Sequence, residues 1–244
     1  MKSMNIFETP SPITLFKNFD KVNKGNLLDD YLVDKDRESF IKTVLYEWAP
    51  IWMTSNSYDF KSVFELVQGL YLLKNDKELY KELNGDYITM IRFTCKAEYD
   101  YLMEKGVINK NFRNKENDRF MCYKYFCDFA GLNNLLFGWW ESSNLDGKYK
   151  EKVDLAFKVT YKIPRSKCYI MKYYNWSDLL FNFVDAKNLE QAENICKKEF
   201  KGSTLANLLA ETPLVERDDY IQICVQDLKM DWVQAVEEVN YTII

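Results

Sequence analysis

Apolar residues recur three and four positions apart through the first third of the chain, then at alternate positions through much of the remainder, a change of period from helix to strand. Asp36 is placed to cap a helix carrying Phe40, Ile41, Val44, Leu45 and Trp48, and Pro50 is expected to end it. Phe60, Val63, Phe64, Val67, Leu70 and Tyr71 form the apolar stripe of a second helix beginning near Ser57, and Asp76 to Leu83 reads as a short third. Asn84-Gly85 then punctuates the chain.

From Asp86 onward the pattern predicts strands interleaved with short helices. Tyr87 to Phe93 is β-prone, and Thr94 is a candidate cap for a helix through Tyr99 and Leu102 that Gly106 stops in a left-handed conformation. A helix over Asp118 to Ala130 closes at Gly131, an extended stretch covers Leu135 to Trp140, and the charged stretch from Ser142 to Lys152 reads as a loop. Val153 to Ile163 alternates as a strand that Pro164 breaks, and a short strand near Cys168 to Met171 is expected to pair with it as a hairpin. Asn175 begins a helix through Leu179, Leu180 and Phe183, and Asn188 with Gln191 opens another reaching Phe200. Tyr220 to Leu228 and Asp231 to Val239 read as strands, although Trp232 to Val239 also fits a helical period. The expected class is α+β: a helical subdomain over 1–85, then an α+β domain over 86–244 whose sheet is mixed or antiparallel with short packed helices.

Composition narrows the function more by exclusion than by indication. With 47% hydrophobic and 16% aromatic residues in 244, the chain has ample material for a core, and 8 Gly and 5 Pro leave little for phosphate-binding glycine loops. The net charge is −4 and the lysines are scattered, which disfavours direct binding of nucleic acid. No apolar run approaches the length of a membrane span, and Phe7-Glu8-Thr9-Pro10 stands where a secretory leader would carry its apolar region, so a cytoplasmic protein with six free thiols is expected. The chain has no histidine, which removes the commonest general base, the Ser-His and Cys-His pairs and the usual nitrogen ligand for metals. The six cysteines show no Cys-x-x-Cys spacing, and Cys122 or Cys127 as a nucleophile lacks an evident base. Neither a metal nor a cofactor is expected.

The remaining candidates are few. Trp139-Trp140-Glu141 sets indoles beside a carboxylate, a combination able to stack a flat ring and bind a sugar hydroxyl, or simply to pack a strand. Arg92 within an apolar strand offers a fixed bidentate guanidinium for phosphate or carboxylate, or a solvent-facing charge. Arg113 and Arg119 with Lys110 and Lys115 suggest a local anion site diluted by Glu116 and Asp118; Asp29-Asp30, Asp218-Asp219 and Glu237-Glu238 read as solvated pairs.

From Tyr87 onward the order of features resembles a bacterial family of unknown function: an opening strand and helix ending in glycine (Ile88-Thr89-Met90-Ile91 through Lys105-Gly106), a tryptophan-rich strand (Phe137 to Glu141), a strand ending in proline before an aromatic helix (Phe157 to Pro164, then Tyr174 to Asn182), and a closing Gln-led strand with a Trp-Val pair (Ile221-Gln222, Trp232-Val233). The opening is also similar to that of ADP-ribosyltransferase-like folds, in which a split sheet grips NAD. Two readings follow. One is an intracellular protein-interaction or inhibitor factor with a protein partner, of the counter-defence type carried by phage and mobile elements. The alternative is an NAD- or nucleotide-binding enzyme in which Arg92 holds phosphates, Trp140 stacks the ring and Glu141 steadies the ribose.

Overall fold

The computed structural model describes residues 42–112, 121–142, 156–218 and 220–239. The Asp36 cap, the 143–152 part of the loop and the 118–120 helix start lie outside them. Pro50 does not stop the first helix. Residues Val44–Trp48 form a π-helical turn in which the Ala49 N–H donates to the Val44 carbonyl, and the chain continues into α1 (Ala49–Met53). The wider turn brings the proline into the first turn of α1, where a missing N–H is tolerated. Asp59 accepts from the Ser62 N–H at 2.8 Å to start α2 (Phe60–Asn75), and Asp76 does the same for Leu79 at 2.8 Å to start α3 (Lys77–Leu83).

Strand β1 (Tyr87–Thr94) leads to α4 (Lys96–Lys105), which Gly106 ends at φ 72°. Cys95, not Thr94, occupies the cap position and makes no side-chain cap; Thr94 instead completes β1 and is buried. There follow β2 (Val107–Ile108), α5 (Met121–Ala130), β3 (Leu136–Trp140), β4 (Phe157–Pro164), β5 (Tyr169–Lys172), α6 (Tyr173–Asn182) and α7 (Leu189–Glu199). Helix α7 starts as anticipated, with Asn188 accepting from the Gln191 N–H and the Gln191 side chain accepting from the Lys187 N–H, each at 2.9 Å. Next come α8 (Leu205–Glu211), which the hydropathy pattern did not reveal, then β6 (Ile221–Val225), β7 (Leu228–Lys229) and β8 (Val233–Glu238). A Thr204–Asn207 capping box starts α8.

The architecture is α+β, with an antiparallel sheet in the order β5-β6-β3-β1-β4-β8 and a small β2-β7 pair. The expected β4-β5 hairpin does not form. After Pro164, the Arg165–Lys167 3-10 turn redirects the chain, β4 pairs with β1 and β8, and β5 pairs with β6. Alternation along the strands gives the sheet two faces. On one, Ile88, Met90, Trp140, Val159, Tyr161, Ile163, Ile170 and Ile223 pack with Leu79 and Leu83 of α3 and Leu102 of α4. On the other, Tyr169, Met171 and Cys224 meet α1, α2, α5, α6, α7 and α8, with Phe64, Phe126 and Trp176 at the centre.

Arg165 ties these layers together. Its Nε donates to the Leu83 carbonyl at 2.7 Å, Nη1 to Glu65 at 3.0 Å and to the Cys168 carbonyl at 3.1 Å, and Nη2 to the Gln68 side-chain oxygen at 3.0 Å. Gln68 in turn donates to the Ile170 carbonyl at 2.8 Å and the Pro213 carbonyl at 3.2 Å. With Lys61 Nζ on the Cys168 carbonyl at 2.6 Å and the Lys172 N–H on the Thr212 carbonyl at 2.8 Å, the free edge of β5 is closed by side chains and a loop rather than by a strand.

The two halves of the sheet meet narrowly. β1 pairs with β4 along its whole length but with β3 only at Met90↔Trp140 and Ile91↔Trp139. Gly138 makes that crossing possible: a Cβ there would lie 2.5 Å from Met90 Cγ and 2.8 Å from the Ile91 carbonyl oxygen. Replacing Gly138 with alanine is therefore expected to destabilise the protein by about 1–3 kcal/mol, the usual penalty of overpacking, in a urea titration. A change within about 0.5 kcal/mol of zero would contradict the close approach.

Candidate functional site

The sequence candidates separate in space. Arg92 shares a sheet face with Met90, and its side chain, 18% exposed, is gripped by Glu98 of α4 through Nε–Oε1 at 2.7 Å and Nη2–Oε2 at 3.0 Å, while Nη1 donates to the Phe137 carbonyl. Burial alone would pull its pKa down, but the Glu98 carboxylate and its hydrogen bonds more than offset this, and the guanidinium is held above its ordinary value. Trp140 lies on the same face and is 5% exposed in the core with Val159 and Tyr161. Glu141 is exposed in the turn after β3, its N–H donating to the Thr89 carbonyl at 3.4 Å.

Trp139 points to the opposite face and gathers partners that sequence reading did not assign to a site. Its ring lies 4.7 Å from Tyr173 and 6.4 Å from Tyr220, and Tyr174, at 47% exposure, lies 5.6 Å from Tyr173 and 5.5 Å from Tyr220. The Tyr173-Tyr174 doublet was the available signal, but nothing in the order of the chain joins it to Trp139. One row of the sheet shows how this surface arises. Ala235, Thr160, Ile91, Trp139, Gln222 and Met171 are register partners in turn from β8 to β5. Ala235 is exposed, Thr160, Ile91 and Trp139 are half-buried, and Gln222 and Met171 are buried. The helices cover the β5-β6-β3 end, and Ile91, Phe93 and Trp139 belong to neither core. A band of half-buried apolar and aromatic side chains remains, the composition that favours contact with another macromolecule.

The other anticipated groups contribute less. Of the basic stretch, Lys110 falls in a 3-10 turn, while Arg113, Lys115 and Arg119 lie outside the described residues, as do Glu116, Asp118, Asp29, Asp30 and Asp219. Glu237 pairs with Lys158 across β4 and β8 at 2.9 Å, and Glu238 is exposed. Among the described residues no group of Cys, Asp and Glu is arranged to hold a metal ion, and no helix is long and apolar enough to cross a membrane. All six cysteines are free thiols, and five are buried.

The pattern of a Vwde-like domain family matches residues 183–238, under a quarter of the chain, running from the end of α6 through β8. No curated protein matches the chain, and no solved structure does.

Burial pushes the Cys168 thiol up to about 12, raises those of Cys122 and Cys224, and raises the phenols of Tyr161 and Tyr169. All five keep their protons where an unfolded chain releases them, near pH 9 for thiols and 10 for phenols. The folded state then binds more protons, so stability falls as pH rises. Lys61, whose ammonium burial pulls down despite Glu65, acts in the opposite sense. Urea unfolding is expected to give constant stability from about pH 7 to 8.5, above the range where Asp76 and Glu211 titrate, and a decline above it, each buried thiol or phenol adding up to roughly 1.4 kcal/mol per pH unit. A flat profile to pH 10.5 would count against the burial of these groups.

Proposed function

We propose that the protein is a protein-interaction factor, of inhibitor or accessory type, that engages its partner through the surface around Trp139, Tyr173, Tyr174 and Tyr220 and the adjoining Ile91. The observation that carries this reading is the gradient of burial along one row of the sheet, from Met171 in the core to exposed Ala235, with aromatic rings concentrated where the helical cover ends. Aromatic side chains that keep part of their surface in water supply large contact area at low entropic cost, as is usual at interface centres. The absence of histidine and of recognisable cofactor motifs fits binding better than catalysis.

A nucleotide- or NAD-binding enzyme of ADP-ribosyltransferase-like fold is the second reading, favoured by the narrow junction between β1 and β3, which divides the sheet into two three-stranded halves. It asks more of the molecule, because Arg92 is already bound to Glu98 and Trp140 must leave the core to stack a ring.

Capture from lysates of candidate hosts, followed by hydrogen-exchange mapping of the purified complex, separates the two. The expected outcome is one retained protein partner whose binding protects residues 88–94 and 139–141, is weakened at least tenfold by Tyr174→Ala with Ile91→Ser, and is unchanged by Met103→Ala on α4. Such a loss is the size expected of an interface anchor, about 1.4 kcal/mol or more. Protection confined to other elements would overturn the reading, and a thermal melt raised by about 5 °C with NAD in excess would move it to the enzyme.

A further inference from the structure

We propose that a second site, a cavity of about 250 Å³ between the β4-β5 turn, the β6-β7 turn and the residues leading into β8, binds a small phosphorylated polyol. None of its lining residues belongs to the aromatic surface, so the inference stands apart from the interaction reading. Three lysines from distant parts of the sequence meet there: Lys61 of α2, Lys167 of the 3-10 turn and Lys229 of β7. They face a single carboxylate in the lining, that of Asp227.

The lysines are not equivalent. Lys61 is committed at the back, donating to Glu65 and to the Cys168 carbonyl and lying 4.8 Å above the Tyr169 ring. Among the described residues Lys167 and Lys229 have no carboxylate partner, and Lys229 lies 5.5 Å from the centre of the Trp232 ring. Two exposed ammonium groups lining a concavity, with a third held by Glu65 and the Cys168 carbonyl, suit a compact dianion, for which lysine acts as an adjustable point charge. Burial pulls the Lys61 proton toward release, and an arriving anion would hold it in place.

The neighbouring space indicates what the anion is attached to. Gln226 and Asp227 also line an adjoining cavity of about 130 Å³ whose other walls are Asn109, Lys110, Asn133 and Asn134. Amide and carboxylate residues line this small space, with Asn134 donating to the Gln226 carbonyl and accepting from the Tyr123 hydroxyl at 3.3 Å each, and such polar walls match hydroxyl groups, which both donate and accept. A phosphate at the lysines with hydroxyls toward the asparagines uses both cavities, and its size stays below that of the larger drug-like sites.

Isothermal titration of the purified protein at low ionic strength, with glucose 6-phosphate, inorganic phosphate and glucose as probes, tests this. Saturable binding of the ester is expected, at least fivefold tighter than inorganic phosphate, with no measurable binding of glucose. The exposed pair Lys167→Ala with Lys229→Ala should weaken the ester at least tenfold, and Asp227→Asn should narrow the gap between ester and free phosphate. Lys198→Ala, paired on α7 with Glu199, should leave all three unchanged. Absence of saturation by the ester at roughly 10 mM, equal affinity for ester and inorganic phosphate, or an unaltered affinity in the double variant would each overturn the proposal.

Discussion

A single guanidinium governs how this chain is assembled. Arg165 sits at the turn between β4 and β5 with its side chain 10% exposed, and it reaches the end of α3, the side chains of two residues on α2 and the backbone of its own turn. A buried charge of this kind is tolerable only when partners replace the water it has lost, and Glu65, Gln68 and the carbonyls of Leu83 and Cys168 do so. The arrangement explains why β4 and β5 do not fold back on each other. The turn is held to the helices, so β5 is delivered to β6 while β4 stays with β1.

The same anchorage sets both the aromatic border of the sheet and the lysine-lined cavity. Fixing β5 against α2 places Tyr169 edge-to-face with Phe64 and Phe126, at ring distances of 5.4 and 5.5 Å, and this aromatic cluster packs on one face of the β5-β6-β3 half. Helical cover then runs out near β3, and Trp139 is left at its border. On the other side of Arg165, Ser166 and Lys167 project from the turn into the cavity that Lys61 and Lys229 share. A residue with no role in recognition thus positions both the apolar border and the basic pocket.

Much of the fold was legible because it rests on local chemistry. Asp76 and Asn188 announce helix starts through side-chain acceptors, Gly106 and Gly131 announce helix ends through left-handed backbone, alternation marks β4, and β-prone composition marks β1. What was hidden depends on distance along the chain. The β4-β5 hairpin was a sound local inference undone by contacts of Arg165 with residues about a hundred positions earlier. Helix α8 was missed because its Thr204-Asn207 box is short and uses asparagine in place of the usual glutamate or glutamine. Of the site candidates, Trp139 shows the limit most clearly, since Tyr173 and Tyr220 reach it only through sheet pairing. The three cavity lysines likewise looked scattered in sequence and are adjacent only in space.

The most direct test of this account is equilibrium unfolding of Arg165→Met, followed both by tryptophan fluorescence and by far-ultraviolet circular dichroism. Removing the charge leaves the Gln68 side-chain oxygen and the Leu83 carbonyl without their donor, while Glu65 and the Cys168 carbonyl keep only Lys61, so a loss of about 2–4 kcal/mol is expected in one cooperative transition seen alike by both probes. A loss below about 1 kcal/mol, or two separated transitions in which the sheet outlasts the helices of residues 44–83, would contradict the central place given to Arg165.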